Sequence, residues 1–156
     1  MKKVFAVFGD PIEHSLSPVM HNAAFKALAM DCTYHAFRVS RENLKDAIKG
    51  AHAMGFGGLN LTVPLKEEAL KIVQPDPLAA AMGAVNTVDF RYGIRGYNTD
   101  GKGAERALVD AGVKIEGTKV LIVGAGGAAR GIGFQLASSG AEVIIANRTP
   151  ERAIQL

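Results

Sequence analysis

The chain has 156 residues, 48% of them hydrophobic and 21% charged, with a net charge of +3. That balance excludes a disordered chain, and the length allows one domain or two small ones. The basic residues are scattered, which argues against nucleic acid and suits small anionic ligands. No stretch is long and apolar enough to span a bilayer, and Met1 to Asp10 reaches a turn too early for a signal peptide. Cys32 is the single cysteine and cannot form an internal disulfide, so a reducing compartment is expected, and with it a cytoplasmic location.

Val4 to Phe8 reads as a buried strand that ends in the turn cluster Gly9-Asp10-Pro11. Ser17-Pro18 is an N-cap and first-turn pair for a helix from Pro18 to about Ala29. Taken alone, Ser17 is a cap and Ser15 a loop residue, or the two hydroxyls at this strand-to-helix junction bind a carboxylate. Cys32 to Val39 follows as a second strand, and Leu44, Ala47, Ile48 and Ala51 mark one face of a helix. The βαβα rhythm predicts an α/β fold with a mostly parallel sheet. His14, His21, His35 and His52 show no metal-ligand spacing and receive no catalytic role, and no metal is expected.

Gly58 to Lys66 (GLNLTVPLK) is the most informative stretch of the first half. On a strand, Leu59, Leu61 and Val63 share one face and Asn60 and Thr62 the other, and polar groups on a buried strand need partners. Pro64 ends the strand and starts a helix with Lys66 in its first turn, where the dipole disfavours a cation. Lys66 is then either an ordinary surface lysine or one that faces a substrate. Asp76-Pro77 starts a short helix that ends near Gly83, and Ala84 to Val88 is a strand. Tyr92-Gly93 turns the chain into Ile94 to Tyr97. A helix from about Gly101 to Ala111 follows, with Ala104, Ala107, Leu108 and Ala111 on its apolar side and Asp100 as a possible N-cap. Gly112 to Thr118 is the natural seam between two domains.

Lys119 to Val123 is a short β-branched run of the kind buried on both faces of a parallel sheet. Gly124, Gly126 and Ala129 fit the G-x-G-x-x-G/A turn that opens a dinucleotide-binding helix, with Ala125, Gly127 and Ala128 completing the loop. The helix runs to about Ser139, stops at Gly140, and leads to a strand over Glu142 to Ala146. Where an acidic residue would suit the free ribose hydroxyl of NAD, this chain has Asn147-Arg148-Thr149 and, a turn on, Arg152. Arginines there suit a 2′-phosphate and so NADP; the alternative is a plain tight turn with solvated arginines.

Six motifs in one order resemble the shikimate dehydrogenase family: Ser15-Leu-Ser17-Pro18, Asn60-Leu-Thr-Val-Pro-Leu-Lys66, Gly83-Ala-Val-Asn86-Thr87, Asn98-Thr-Asp100-Gly101, Gly124-Ala-Gly-Gly-Ala128 and Asn147-Arg-Thr149. The resemblance implies reversible reduction of 3-dehydroshikimate to shikimate with NADPH, on the route to chorismate and the aromatic amino acids. It implies that Ser15 and Ser17 bind the substrate carboxylate and that Asn60, Thr62, Lys66, Asn86 and Asp100 surround the ring hydroxyls. Lys66 and Asp100 match the catalytic pair, Gly124 to Ala128 the pyrophosphate turn, and Asn147, Arg148, Thr149 and Arg152 the clamp on the adenosine 2′-phosphate. The implied division is a substrate-binding catalytic domain over residues 1–100 and an incomplete Rossmann NADP-binding domain over 101–156. Members of the family continue past residue 156, so an N-terminal fragment is expected, with an uncovered apolar sheet face that invites a homodimer. A quinate/shikimate dehydrogenase of broader specificity and a non-catalytic ligand-binding module are the competing readings.

Overall fold

A computed structural model describes residues 2–156 as an α/β structure with two sheets. The larger sheet contains β1 (Lys3–Gly9), β2 (Cys32–Arg38), β3 (Gly58–Leu61), β4 (Gln74–Pro75), β5 (Thr87–Asp89) and β6 (Arg95–Tyr97), in the order β2-β1-β3-β5-β6-β4. β1 runs parallel to both of its neighbours and β4 parallel to β6, whereas β5 is antiparallel to β3 and β6. The βαβα rhythm thus produces the parallel part, and the tight turn at Gly93, with φ of 95°, produces the antiparallel part.

Period-two alternation decides what each face holds. Ala6, Phe8, Leu59, Leu61 and Val88 face α2 (Leu44–Ala53), whose Leu44, Ile48 and Ala51 are fully buried against them. Phe5, Val7 and Tyr34 face the other way, toward Phe25 of α1 (Ser17–Ala27). Asn60 lies between Leu59 and Leu61 and so shares the α1 side. α3 (Pro77–Met82) is capped by Asp76, whose Oδ1 accepts from the Ala79 amide at 2.7 Å, and it stops at Gly83 in the left-handed region.

Three local expectations give way. Ser17 is the first helical residue rather than the cap, and no described side chain caps α1; the Ser17 amide donates to Ser15 Oγ at 3.4 Å. Pro64 starts no helix at Lys66. The Leu65 amide donates to Thr62 O, and Lys66 O is taken by the Val85 amide at 2.8 Å, so Lys66 sits in a turn ahead of a 3₁₀ helix over Glu68–Lys71. That turn also carries Val63 out of the core, to 67% exposure.

α4 (Asp100–Asp110) joins the large sheet to β7 (Lys119–Val123), α5 (Gly127–Ser138), β8 (Glu142–Ala146) and the short α6 (Pro150–Ile154). β7 and β8 pair in parallel, as the two apolar runs predict. α4 does not present the expected alanine face: Ala107 and Ala111 are exposed. It packs on α5 instead, with Glu105 accepting from Gln135 at 2.8 Å and from Ser139 at 2.5 Å, and with Gly101 against the backbone of Gly131. The β7–β8 pair is not covered on both faces, for Leu121 is 60% and Val123 82% exposed. α5 covers one side of a two-stranded sheet, and no described residue covers the other.

Candidate functional site

Two asparagines are the buried polar residues among those described, and both belong to one hydrogen-bonded network. Lys66 leaves the turn after β3 and its Nζ donates to Asp100 Oδ2 at 2.5 Å. Asn86 precedes β5; its Nδ2 donates to Asp100 Oδ1 at 2.7 Å and to Thr99 Oγ1, while its Oδ1 accepts from the Thr99 amide and from Thr87 Oγ1. Asn98 spans the base of the site, with Nδ2 on Ala84 O and Oδ1 on the Asp100 amide, both at 3.0 Å. Asp100 is therefore no N-cap. It occupies the first position of α4, and its carboxylate oxygens each accept one bond, from Asn86 and from Lys66, with acceptor capacity left on both. Buried amides fully partnered in this way hold a fixed geometry, because losing any one contact leaves a desolvated polar atom.

Asn60 extends the network along the sheet. Its Nδ2 donates to Thr87 Oγ1 at 3.1 Å and to Asn86 O at 3.3 Å, and its Oδ1 accepts from the Tyr34 hydroxyl at 2.7 Å. A cavity of about 630 Å³ opens on this face of the sheet, lined by Tyr34, Asn60, Thr87, Asn98 and Thr99 among others. Thr62 lies one residue beyond β3, with its amide on Phe8 O. Ser15 and Ser17 stand in the loop after β1 and the start of α1, beyond the carboxyl end of a strand adjacent to β3, where open α/β sheets place ligands. Among the described residues no hydrogen bond joins these serines to the Asn60–Lys66 network.

The glycine turn faces Lys66 across a cleft of about 530 Å³, whose walls include Pro64, Lys66, Gly124, Gly126, Gly127 and Arg152. Gly124 holds φ at +119°, a conformation that L side chains rarely adopt. Gly126 is open, with nothing within 4 Å of where a Cβ would stand, so a phosphate can approach its backbone. Gly127 opens α5 close to the lysine stem, where a Cβ would come within 2.9 Å of Lys66 Cβ. Ala125 and Ala129 are buried under the turn. No side chain caps α5, so its first amides remain free for an anion. This donor set fits the pyrophosphate of a dinucleotide. Of the four residues predicted at the 2′-phosphate, Arg152 lines the cleft and Asn147 holds the loop through a 2.8 Å bond to Thr149 O; Arg148 is exposed outside the cleft lining.

Sequence reasoning did not assign site positions to Tyr34, Thr87, Asn98 or Thr99. Asn98 and Thr99 stand directly before Asp100, which is a usable signal. Tyr34 lies 26 positions from Asn60, and nothing local marks it. No group of three or more potential metal ligands occurs among the described residues, and no helix among them is long and apolar enough to cross a membrane.

The fold and site define a class first: an α/β protein in which a dinucleotide-type glycine turn shares a cleft with a lysine that is paired to an aspartate. A model of the shikimate dehydrogenase substrate binding domain matches residues 7–88, and a shikimate / quinate 5-dehydrogenase model matches residues 105–156. The chain belongs to the shikimate dehydrogenase family. It is 69% identical to a shikimate dehydrogenase (NADP(+)) of Methanococcoides burtonii, over 100% of this chain and 58% of that protein. The crystal structure of shikimate dehydrogenase from Aquifex aeolicus matches with a TM-score of 0.93 at 38% identity, over 99% of this chain and 59% of the other. That of shikimate 5-dehydrogenase from Thermus thermophilus, in complex with NADP(H) and shikimate, matches with a TM-score of 0.91 at 42% identity, over 98% of this chain and 59% of the other. The chain spans less than two thirds of the length of the relatives it matches.

Proposed function

We propose that the protein carrying this chain is an NADP-dependent shikimate dehydrogenase that interconverts 3-dehydroshikimate and shikimate. The observation that carries the reading is Lys66, which lines one cleft with the glycine turn while its Nζ stands 2.5 Å from the Asp100 carboxylate. In this reading residues 1–100 bind the substrate and residues 101–156 begin the NADP domain, a division supported by the packing of α4 on α5. Ser15 and Ser17 hold the substrate carboxylate, and Asn60, Thr62, Asn86 and Asp100 hold the ring hydroxyls. The amides of Gly124 to Ala128 take the pyrophosphate, and Asn147, Arg148, Thr149 and Arg152 take the 2′-phosphate. Bound NADP supplies the hydride chemistry. Lys66 donates a proton from Nζ to the oxygen formed as the ketone is reduced and withdraws it in reverse, while its charge stabilises the developing alkoxide. Asp100 orients both the ammonium and the substrate hydroxyl, and Asn86 keeps the Asp100 carboxylate turned toward Lys66.

The test is shikimate-dependent reduction of NADP by the full-length protein, with NAD and with quinate in parallel. Turnover that prefers NADP and shikimate is expected. Equal turnover of quinate would select the broader enzyme, and binding of shikimate without any turnover would select a ligand-binding module. A cytoplasmic location and a homodimer accompany the proposal; the dimer is checked by light scattering of the full-length protein.

A further inference from the structure

Every hydrogen-bonding group of the Asn60 side chain but one lone pair is already engaged within the protein. Both Nδ2 hydrogens are spent, on Asn86 O and Thr87 Oγ1, and one side of Oδ1 is taken by Tyr34. The Asn86 carbonyl can only accept, so it fixes which end of the amide carries nitrogen. The opposite end must then receive a donor, and the Tyr34 hydroxyl is that donor.

Tyr34 is itself tightly held. It lies on β2 opposite Phe5 of β1 and is 3% exposed. Asn22 of α1 grips it from behind, with Oδ1 accepting from the Tyr34 amide at 2.9 Å and Nδ2 donating to Tyr34 O at 2.8 Å. His21 stacks on its ring, with centroids 4.3 Å apart and planes 18° from parallel. Burial pushes the pKa of the phenol above its ordinary value, which keeps the hydroxyl a donor throughout the neutral range. A phenol needs none of this apparatus merely to fill space.

We propose that Tyr34 is a positioning residue: clamped by His21 and Asn22 of α1, it locks the Asn60 amide so that Oδ1 alone is offered to the substrate, as an acceptor for one ring hydroxyl. α1 begins at Ser17, so the same residue ties the helix carrying the proposed carboxylate site to the amide that receives a ring hydroxyl. The inference rests on the reading of Asn60 as a substrate ligand given under Proposed function.

The test uses full-length protein with Tyr34→Phe, Asn60→Ala and the double variant. Tyr34→Phe should raise the KM for shikimate about tenfold, the value of one well-aligned hydrogen bond, and leave the KM for NADP within about twofold. In the Asn60→Ala background the same substitution should change the shikimate KM by less than about twofold, because its effect passes through Asn60. An unchanged shikimate KM in Tyr34→Phe, an equal loss in the Asn60→Ala background, or loss of a cooperative melt in Tyr34→Phe would each overturn the proposal. A readout independent of turnover is the Asn60 side-chain amide in heteronuclear NMR spectra of ligand-free protein. Its protons should resist solvent exchange in wild type and lose protection in Tyr34→Phe, because an amide released at Oδ1 can turn its Nδ2 away from Asn86 O and Thr87 Oγ1; identical exchange in both also overturns the proposal. A wild type without shikimate-dependent turnover sinks the dehydrogenase reading instead, and the NMR comparison still decides whether Tyr34 locks Asn60.

Discussion

The β3 strand and the β7 strand are both short apolar runs that end in a turn with a functional reading, yet they stand in opposite environments. Around β3, Leu59 and Leu61 are 3% and 2% exposed, and the polar residue between them enters a network reaching to α4. On β7, Leu121 and Val123 lie largely open, and the functional content sits in the backbone of the glycine turn that follows. The first region works through side chains fixed by partners distant in sequence. The second works through backbone amides shaped by local glycines, so a substitution should be felt very differently in the two.

The largest effect should come from the side-chain network. Lys66→Ala removes the proton donor and is expected to lower kcat by about 10²- to 10⁴-fold, while calorimetry still registers shikimate binding. Loss of binding together with turnover would instead make Lys66 a binding group. Next come the cores of the two regions. In the 156-residue chain Leu61→Ala should cost about 2–5 kcal/mol, since it opens a cavity in a buried cluster, whereas Leu121→Ala should stay within about 0.5 kcal/mol. Denaturant melts of the two variants would erase the contrast if they moved equally.

On the cofactor side, Arg152→Ala should raise the KM for NADP about tenfold and leave that for NAD unchanged, because the lost partner is a 2′-phosphate. Arg148→Ala should do less, since Arg148 lies outside the cleft lining. The last contrast is confined to alkaline pH. The folded protein holds the pKa of Tyr34 above its ordinary value of 10.0, so it keeps that proton where the unfolded chain has lost it. This contribution to stability is complete below pH 10 and falls as pH rises from there toward the raised value, by at most about 1.4 kcal/mol per pH unit. Melting temperatures of Tyr34→Phe and wild type across alkaline pH should therefore converge, and curves that stay parallel would remove Tyr34 as the cause.

The elements themselves were legible because their signals are local. β7 and β8 begin and end where the apolar runs do, Asp76 caps α3 through a bond to an amide three residues away, and the φ of +119° at Gly124 accounts for the glycine that opens the turn. Candidate ligands such as Asn60, Lys66 and Asp100 could be named from polarity in apolar surroundings together with the family resemblance. The resemblance also pairs Lys66 with Asp100, but the bonds that hold the rest of the network could not be read. Taken locally Asp100 is open to a capping role, and only its bonds to Asn86 and Lys66, 14 and 34 positions away, decide against it. Lys66 read as helical until Val85 claimed its carbonyl. Tyr34 gave no local signal at all, since its partner Asn60 is reached only through the β2-β1-β3 order of the sheet. Burial was the other unknown, because equally apolar runs become core or surface according to what packs on them. Sequence alone determines where the chain extends, coils and turns, since those preferences are set within a few residues; hydrogen-bond partnership and burial are decided between residues far apart in the chain, so only the tertiary structure settles them.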